Sequence, residues 1–168
     1  AAFEFNVMRD GLVQERRRLF VINSHFKSRP DYAVERRIEQ ARLVASIVEA
    51  IQQRDPDAFI VAGGDLNVFP RPDDPFPDDP SDQLAPIYER GMLNTHDLQL
   101  RTRPEAAYTY VWQGQAQTLD QLFVSRSLAP LVAQVRAVHV NSDFSYDPEA
   151  PHRGVSDHDP VVMTLRFP

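Results

Sequence analysis

A short, continuously apolar run that ends in two glycines limits the fold of this chain more than any other feature. The run is AFIVAGGDLN, residues 58–67. A strand of this kind is typical of a sheet that is covered on both faces. The segment RRRLFVINSHF, residues 16–26, predicts an earlier strand, and helical apolar spacing separates the two. Strand, helix and strand in this order predict a layered α/β or α+β domain.

The helix predicted between these strands covers residues 31–53. Asp31 can cap its first turn, and Pro56 ends it because proline cannot continue an α-helix. The positions expected to face the core are Ala41, Val44, Ala45, Val48 and Ile51. The positions expected to face solvent are Arg36, Arg37 and Gln40.

The other segments predict mostly β-structure. Residues 1–7 alternate, and RDG at 9–11 supplies a turn, so a hairpin should open the chain. A short helix is expected from near Ser81 to Gly91, with Pro86 tolerated in its first turn. Further strands are expected at 107–112, 118–125, 131–142 and 160–167. The proline- and aspartate-rich segment that begins at residue 68 predicts a loop inside one domain.

The composition excludes several kinds of protein and site. A length of 168 residues, with 42% hydrophobic and 25% charged residues, indicates one globular domain. The absence of cysteine excludes disulfides, thiolate metal sites and cysteine nucleophiles. No apolar run approaches the roughly 18 residues of a membrane span. The net charge of −6 argues against a generic binder of phosphate backbones, but not against an enzyme whose metal ions supply positive charge locally.

Polar residues stand at the ends of three predicted strands, and one carboxylate interrupts a fourth. They are Asn23 and His25, Asp65 and Asn67, Asp157 and His158, and Asp120. Each of the first three clusters alone is also typical of a turn, or of side chains that cap nearby N–H groups. Asp120 lies within TLDQLF, where a lone carboxylate is costly to bury, so we expect a cationic or N–H partner such as histidine. The turn interpretation would have to be correct for all three clusters at once, which is less expected than for any one of them. A single site shared by the clusters is therefore favoured.

The residue types in these clusters indicate the chemistry of that site. Carboxylate and amide oxygens suit a hard cation, namely Mg²⁺, Mn²⁺ or Ca²⁺. A histidine paired with a buried aspartate can act as a general base or stabilise developing charge. Together these features favour metal-assisted hydrolysis of a phosphate ester.

Four motifs carry a resemblance to a known family. NSHF, GGDLN, LDQLF and SDHDP, in this order, resemble those of the endonuclease/exonuclease/phosphatase superfamily. That group includes pancreatic-type deoxyribonuclease, abasic-site endonucleases, neutral sphingomyelinases and inositol-polyphosphate 5-phosphatases. The segments NSHFKS, YTYVWQGQAQTLDQLFVS and SDHDPVV are most similar to bacterial extracellular nuclease-like members. The resemblance runs from about Arg18 to Phe167.

The resemblance implies roles for the residues of the last two motifs. Asp157 would ligate the metal, with Mg²⁺ first and Mn²⁺ or Ca²⁺ as alternatives. His158 would contact the phosphate and help to activate water. Asp120 would orient His158, and the neighbouring Gln121 receives no role.

The first two motifs would supply the remaining site residues. Asp65 would position or deprotonate the attacking water. Asn67 would hold the phosphate or the attacking oxygen. His25 would contact the phosphate or assist the leaving group, and Asn23 would join it in binding the substrate.

The resemblance also implies a fold of the α/β (α+β) class, a two-layer β-sandwich flanked by helices. Its first half normally supplies an early strand that ends in a metal-associated Asn, and then a Glu that is the main metal ligand. Because NSHF begins at residue 23, we expect mainly the C-terminal half here, within one domain, residues 1–168, that is incomplete at its N-terminus. We assign Asn6 to the opening hairpin, since too little chain follows it to hold the missing Glu segment.

The leading hypothesis is a divalent-metal-dependent phosphodiesterase or nuclease that attacks phosphorus with activated water, with DNA or RNA as candidate substrates. Within the enzyme class, sphingomyelinase-like or phosphomonoesterase activity is the alternative. Outside it, the alternative is a noncatalytic binding module, or an inactive fragment that retains the fold. A half-sandwich would expose an apolar sheet face, so we expect a companion N-terminal half or self-association. The compartment is left open, and the resemblance favours a secreted protein.

Overall fold

The computed structural model describes residues 1–28, 33–71, 81–144, 149 and 155–167. The strands of this part of the chain are β1 (Ala2–Arg9), β2 (Leu12–His25), β3 (Phe59–Asp65), β4 (Leu93–Asn94), β5 (Tyr110–Trp112), β6 (Gln115–Gln117), β7 (Asp120–Val124), β8 (Val132–Ala137) and β9 (Val161–Leu165). The helices are α1 (Val34–Gln52), α2 (Ala85–Glu89) and α3 (His96–Thr102), with 3₁₀ turns at Pro104–Ala106 and Ala129–Leu131. None of the described helices is long and apolar enough to cross a bilayer.

Five strands form the central sheet, in the order β1-β2-β3-β7-β4. β2 and β3 are parallel, and α1 makes the crossover between them, as the strand–helix–strand pattern predicts. β7 runs antiparallel to β3 on its other side. The registers pair His25 with Asp65, and Asp65 with Asp120. Three polar residues therefore stand in one row across the end of the sheet.

The two faces of this sheet are covered by different layers. On one face, Ile60 and Phe123 pack against Val44 and Val48 of α1 in the larger core cluster. On the other face, Val61 and its neighbours pack against residues of β8 and β9, which form a separate two-stranded sheet. Burial of each such side chain contributes about 1.5–3 kcal/mol. The α/β sandwich with flanking helices is thus confirmed.

The chain opens with the expected hairpin. β1 pairs antiparallel with β2, and the intervening Asp10 and Gly11 both have positive φ, at 51° and 77°. Two positive φ values in a two-residue turn match the twist of a hairpin, and Asp-Gly is a favoured pair for them. Asn6 lies in β1 opposite Arg16 and is exposed. The assignment of Asn6 to the hairpin is confirmed.

One prediction about α1 is wrong. Arg37 was expected to face solvent, but it is fully buried, whereas Arg36 is exposed. The Nε of Arg37 donates to Oε1 of Gln83 at 2.6 Å, and its Nη1 donates to the carbonyl of Lys27 at 3.2 Å. A guanidinium has five donors, and oxygens brought by distant segments can satisfy them inside a protein. Hydropathy along one helix does not reveal those acceptors.

Several boundaries also differ from the sequence expectations. α2 begins at Ala85 rather than near Ser81, although Pro86 does fall in its first turn. β8 ends at Ala137, well before residue 142. β4 and α3 were not predicted. Gln40, which was expected to face solvent, is partly buried, and its Oε1 accepts the N–H of Lys27 at 2.8 Å. The predicted cap, Asp31, and residues 72–80 of the proline- and aspartate-rich segment lie outside the described residues.

Candidate active site

Six residues singled out in the sequence line one open cavity of about 700 Å³ at the end of the central sheet. They are His25, Asp65, Asn67, Asp120, Asp157 and His158. The other lining residues are Ser28, Tyr110, Trp112, Gln117, Leu119 and Ser156. The structure therefore brings these positions together from four separate segments, although their individual roles remain predictions.

The centre of the cavity is a histidine–aspartate pair. Nδ1 of His158 lies 2.7 Å from Oδ2 of Asp120, so Nδ1 carries the proton and donates to the carboxylate. The hydrogen bond to Asp120 raises the pKa of His158, and this effect outweighs burial, which lowers it. Among the described residues, Nε2 of His158 has no hydrogen-bond partner. The pair therefore holds an imidazole with one nitrogen available to the cavity.

The backbone around His158 is held on both sides. Its N–H donates to Oγ of Ser156 at 3.0 Å, and its carbonyl accepts Nδ2 of Asn141 at 2.7 Å. Tyr110 forms a β-bridge with His158 and stacks on its ring, with centroids 4.6 Å apart. These contacts restrict the orientation of the imidazole before any substrate arrives.

Asp65 faces Asp120 across the β3–β7 pairing. Burial raises the pKa of Asp65 and the Asp120 charge adds to the rise, while the N–H of Asn67, 3.0 Å from Oδ1, opposes it. Nε2 of His25 lies 3.3 Å from Oδ2 of Asp65, and the His25 side chain is 73% exposed. The His25 imidazole is therefore accessible from the cavity, and Asp65 lies at the end of its strand and is largely enclosed.

Steric crowding explains why GGDLN has glycine at positions 63 and 64. A Cβ at Gly63 would stand 2.0 Å from the carbonyl oxygen of Gln121, and one at Gly64 would stand 2.1 Å from that of Ser24. Gly64 also has φ of +131°, which side chains other than glycine rarely adopt. Asn67 follows with φ of 49°, and its Nδ2 donates to the carbonyl of Phe26 at 3.2 Å. This local geometry turns Asp65 and Asn67 toward the same cavity.

The remaining predicted residues lie at the margins. Asp157 is exposed at the rim, close enough that its charge raises the pKa of Tyr110, after the larger effect of burial. Asn23 does not line this cavity; it borders a neighbouring cavity of about 220 Å³ that also contacts Asp120. Gln121 received no role, and the structure gives it a packing one, since Nε2 donates to the carbonyl of Val68 and Oε1 accepts Nδ2 of Asn94 at 2.7 Å.

Asp159, adjacent to this site in sequence, does not face it. It is 2% exposed, and Oδ1 accepts the N–H groups of Val140, Asn141 and Ser142 at 3.0, 2.8 and 3.1 Å. Oδ2 accepts the Ser142 hydroxyl and lies 2.8 Å from Nδ1 of His139. Burial by itself raises the pKa of Asp159, but these hydrogen bonds lower it to about 2. The capping interpretation of SDHDP is thus correct for this one aspartate.

Sequence reasoning missed the aromatic wall and a buried hydroxyl. Tyr110 and Trp112 line the cavity from β5. Oγ1 of Thr109 accepts the N–H groups of Leu119 and Asp120 at 3.2 and 3.1 Å, and its carbonyl accepts the N–H of Asp159 at 2.8 Å. The alternating segment AYTYVW indicated a strand, but nothing local in it indicated which strand end it would meet.

The donor set of the cavity fits a hard divalent cation. Ligand atoms of Asp65, Asp120 and His158 all lie within 4.8 Å of one another. Two carboxylates this close repel each other, which contributes to the raised pKa of Asp65. A cation bound between them would relieve that repulsion, and carboxylate oxygens suit Mg²⁺ or Mn²⁺.

Comparisons with known proteins support a single superfamily. The sequence model of the Endonuclease/Exonuclease/phosphatase family matches residues 4–158. No curated protein sequence matches the chain. The catalytic domain of APE2 from Xenopus laevis has a TM-score of 0.65 and 18% identity, covering 98% of this chain and 54% of that one. An endonuclease/exonuclease/phosphatase protein from Beutenbergia cavernae has a TM-score of 0.61 and 24% identity, and the match covers 99% of this chain and 39% of that one. TDP2 from D. rerio, complexed with a single-strand DNA product, has a TM-score of 0.56 and 17% identity, and the match covers 99% of this chain and 61% of that one.

The layered fold and the polar cavity at one end of its sheet define an α/β sandwich protein with a site at the strand ends. Because the family match extends over most of the chain, the protein belongs to the endonuclease/exonuclease/phosphatase family. At these identities the solved structures show a shared fold alone. The chain spans between 39% and 61% of the length of the three structures.

Proposed function

We propose that this chain carries catalytic residues of a divalent-metal-dependent phosphodiesterase, with a nuclease as the leading form. One observation carries the proposal. The His158 ring is oriented by Asp120 through Nδ1, while Nε2 stays available in a cavity shared with Asp65, Asn67 and His25. A positioned imidazole next to carboxylates can provide acid–base catalysis and charge stabilisation for in-line attack of water on phosphorus.

The chemistry assigns a proton path to these residues. The water oxygen forms a new bond to phosphorus as the bond from phosphorus to the ester oxygen breaks. Asp65 accepts the proton that the water loses, since its carboxylate lies in the cavity and is fixed by Asn67. His158, charged and paired with Asp120, stabilises the negative charge that develops on the phosphate. His25, exposed in the same cavity, donates the proton that the leaving oxygen takes up.

A divalent ion would polarise the phosphoryl oxygens when bound. Two sets of residues are proposed to hold it, namely Asp157 at the rim and the cluster formed by the carboxylates of Asp65 and Asp120. Asp157→Ala separates the two sets. A rise in the metal concentration needed for half-maximal activity is expected if Asp157 is a ligand, and an unchanged value would assign the ion to the cluster.

The proposed substrate class is nucleic acid. Its support is family membership and the fold shared with TDP2 in a complex with a single-strand DNA product. The coverage of only part of each related structure supports the proposal that residues 1–168 belong to a larger catalytic domain. Exposed apolar side chains on β1 and β2, including Phe3 at 54% and Leu12 at 67%, support a further segment of that domain over this hairpin. Self-association of the chain by light scattering would instead indicate a second copy there.

The test measures hydrolysis of bis-p-nitrophenyl phosphate and plasmid DNA with Mg²⁺ or Mn²⁺, in the protein that contains this chain. Wild-type activity should disappear with a chelator. His158→Ala should lower kcat/KM on the order of 10²- to 10⁴-fold, the usual contribution of a positioned acid–base group.

His139→Ala is the matched control, because His139 also pairs with an aspartate but does not line the cavity. It should leave kcat/KM within a few-fold of wild type. Undiminished hydrolysis in His158→Ala would overturn the mechanism. Substrate binding without hydrolysis, with either metal, would favour the noncatalytic binding module.

A further inference from the structure

Two aromatic side chains of β5 continue the ring stack that begins at His158. The Tyr110 ring lies on His158, and the Trp112 ring lies beyond it, with planes 15° apart and centroids 6.4 Å apart. Side chains two apart on a strand point to the same face, and both of these line the cavity. A line of flat rings therefore leads from the proposed catalytic histidine outward.

Trp112 is held in an exposed position by the local fold. Its side chain is 54% exposed although tryptophan is a large apolar residue. It is the last residue of β5, and the two-residue turn that follows has positive φ at both Gln113 and Gly114, 50° and 81°. Such a turn is short and closely defined. The indole is therefore presented by a tight hairpin, not by a long loop.

The cavity offers little attraction to a phosphate backbone. Three of its lining residues are aspartates, and no lysine or arginine is among the lining residues in the described part of the chain. Without a bound metal ion, a polyanionic substrate therefore gains affinity mainly from contacts other than those with lysine or arginine. Stacking of bases on aromatic rings is such a contact, and it tolerates any base sequence.

We propose that Trp112, backed by Tyr110, is a subsite that stacks an unpaired base of a single-stranded nucleic acid next to the phosphate at His158. A single strand is specified because the bases of a duplex cover one another's faces. A phospholipid offers no flat ring to this surface. The inference rests on the proposed function and names its substrate.

Trp112 is the only tryptophan among residues 1–168, so a fluorescence change that Trp112→Phe abolishes reports on this contact. The metal-free protein, kept in chelator to prevent turnover, is titrated with octathymidylate. The second ligand is an octamer with the same phosphates and abasic spacers in place of nucleosides. We expect quenching by octathymidylate and about 10-fold weaker binding of the abasic octamer.

Variants measured by anisotropy of a labelled octathymidylate separate stacking from general binding. Trp112→Ala should weaken binding about 10-fold, and Trp112→Phe should retain most of the affinity. Leu43→Ala is the control, because Leu43, on α1, is an exposed apolar residue that does not line the cavity. It should bind as wild type does, and the abasic octamer should bind all three variants alike.

Three outcomes would overturn the subsite: unchanged binding in Trp112→Ala, equal affinity for the abasic octamer, or quenching by sphingomyelin vesicles and not by the oligonucleotide. Failure of the proposed function has a different signature. Base-dependent binding without hydrolysis would support the stacking subsite and contradict the proposed hydrolase function. Hydrolysis that depends on His158 but not on the presence of bases would support the hydrolase function and contradict the subsite.

Discussion

Among the described residues, two histidine–aspartate pairs joined through Nδ1, His158–Asp120 and His139–Asp159, have nearly the same internal geometry. Nδ1 is 2.7 Å from the aspartate oxygen in His158–Asp120 and 2.8 Å in His139–Asp159. Both histidine side chains are 21% exposed. Each ring is stacked by a tyrosine, Tyr110 on His158 at 4.6 Å and Tyr108 on His139 at 4.3 Å. Neither distance nor exposure of the histidine tells the pairs apart.

The pairs differ in what surrounds the aspartate and the second ring nitrogen. The side chain of Asp159 is fully buried and accepts three backbone N–H groups as well as the Ser142 hydroxyl, whereas that of Asp120 is 19% exposed. Nε2 of His139 lies 3.3 Å from the carbonyl of Ala106. Nε2 of His158 has no such partner among the described residues. A pair whose polar atoms are all used internally stabilises the fold, and a pair with one atom left over can bind a ligand or move a proton.

The largest expected effect is on activity and concerns Asp120→Asn. This change removes the carboxylate that orients His158, so we expect kcat/KM for bis-p-nitrophenyl phosphate to fall on the order of 10²- to 10⁴-fold. The free energy of unfolding should change by less than about 1 kcal/mol, because Asp120 is partly exposed and its repulsion with Asp65 is relieved. Asp143→Asn, at an exposed aspartate that accepts the Tyr108 hydroxyl, should leave kcat/KM unchanged. An equal loss of kcat/KM in both variants would contradict the special role given to the His158–Asp120 pair.

The reverse effect is expected at Asp159. Asp159→Ala leaves three backbone N–H groups without their acceptor, which should lower the free energy of unfolding by about 3 kcal/mol in urea denaturation. Asp157→Ala, two positions earlier and exposed, should stay within about 0.5 kcal/mol of wild type. If the two alanine variants were equally stable, the assignment of Asp159 to the fold would be wrong.

A smaller effect is expected in acid. The pKa of Asp159 falls from 3.8 to about 2 on folding, so its contribution is present above pH ~4 and is lost as pH falls toward about 2. At about 1.4 kcal/mol for each pKa unit, this contribution is about 2.5 kcal/mol. Asp159→Asn should therefore lose less stability than wild type over this range, as followed by urea denaturation at successive pH values. The raised pKa of His158 has the opposite sign, since its contribution is present below pH 6.5 and is lost as pH rises through the folded pKa.

The smallest expected effect concerns Thr109, which contacts both pairs. Its Oγ1 accepts the Asp120 N–H, and its carbonyl accepts the Asp159 N–H. Thr109→Val keeps the shape but leaves two N–H groups without their acceptor, so we expect a loss of about 1–2 kcal/mol in the free energy of unfolding. Thr109→Ser keeps the hydroxyl and should recover most of that loss. Equal destabilisation by serine would show that the methyl group, and not the hydroxyl, matters here.

Much of the candidate site was predictable because its residues stand at strand ends. His25, Asp65 and Asp120 each belong to a strand with a clear apolar pattern, and strands of one sheet bring their ends into a common row. The glycines before Asp65 were also informative, since glycine is required where backbones approach closely. The need of Asp120 for a histidine partner followed from the cost of burying its charge, and the structure supplies His158.

Other features could not be predicted because they depend on segments far apart in the chain. Arg37 is buried because Gln83 and Lys27 supply oxygens, and no helical periodicity contains that information. Residues 138–142 were expected to extend a strand, yet three of their N–H groups bond to Asp159 instead. Trp112 was visible only as a strand residue, and its place beside Tyr110 and His158 follows from the β5–His158 bridge.

Apolar spacing and residue type are local properties, so the strand–helix–strand core and the chemical groups at its strand ends could be predicted without coordinates. Asp157, His158 and Asp159 also stand together in the sequence, but nothing local shows which of them is buried. Contacts between distant segments place His158 in the cavity and enclose Asp159. What a polar group can do depends on which of its hydrogen bonds remain unmade, and residues far away in the chain supply those bonds.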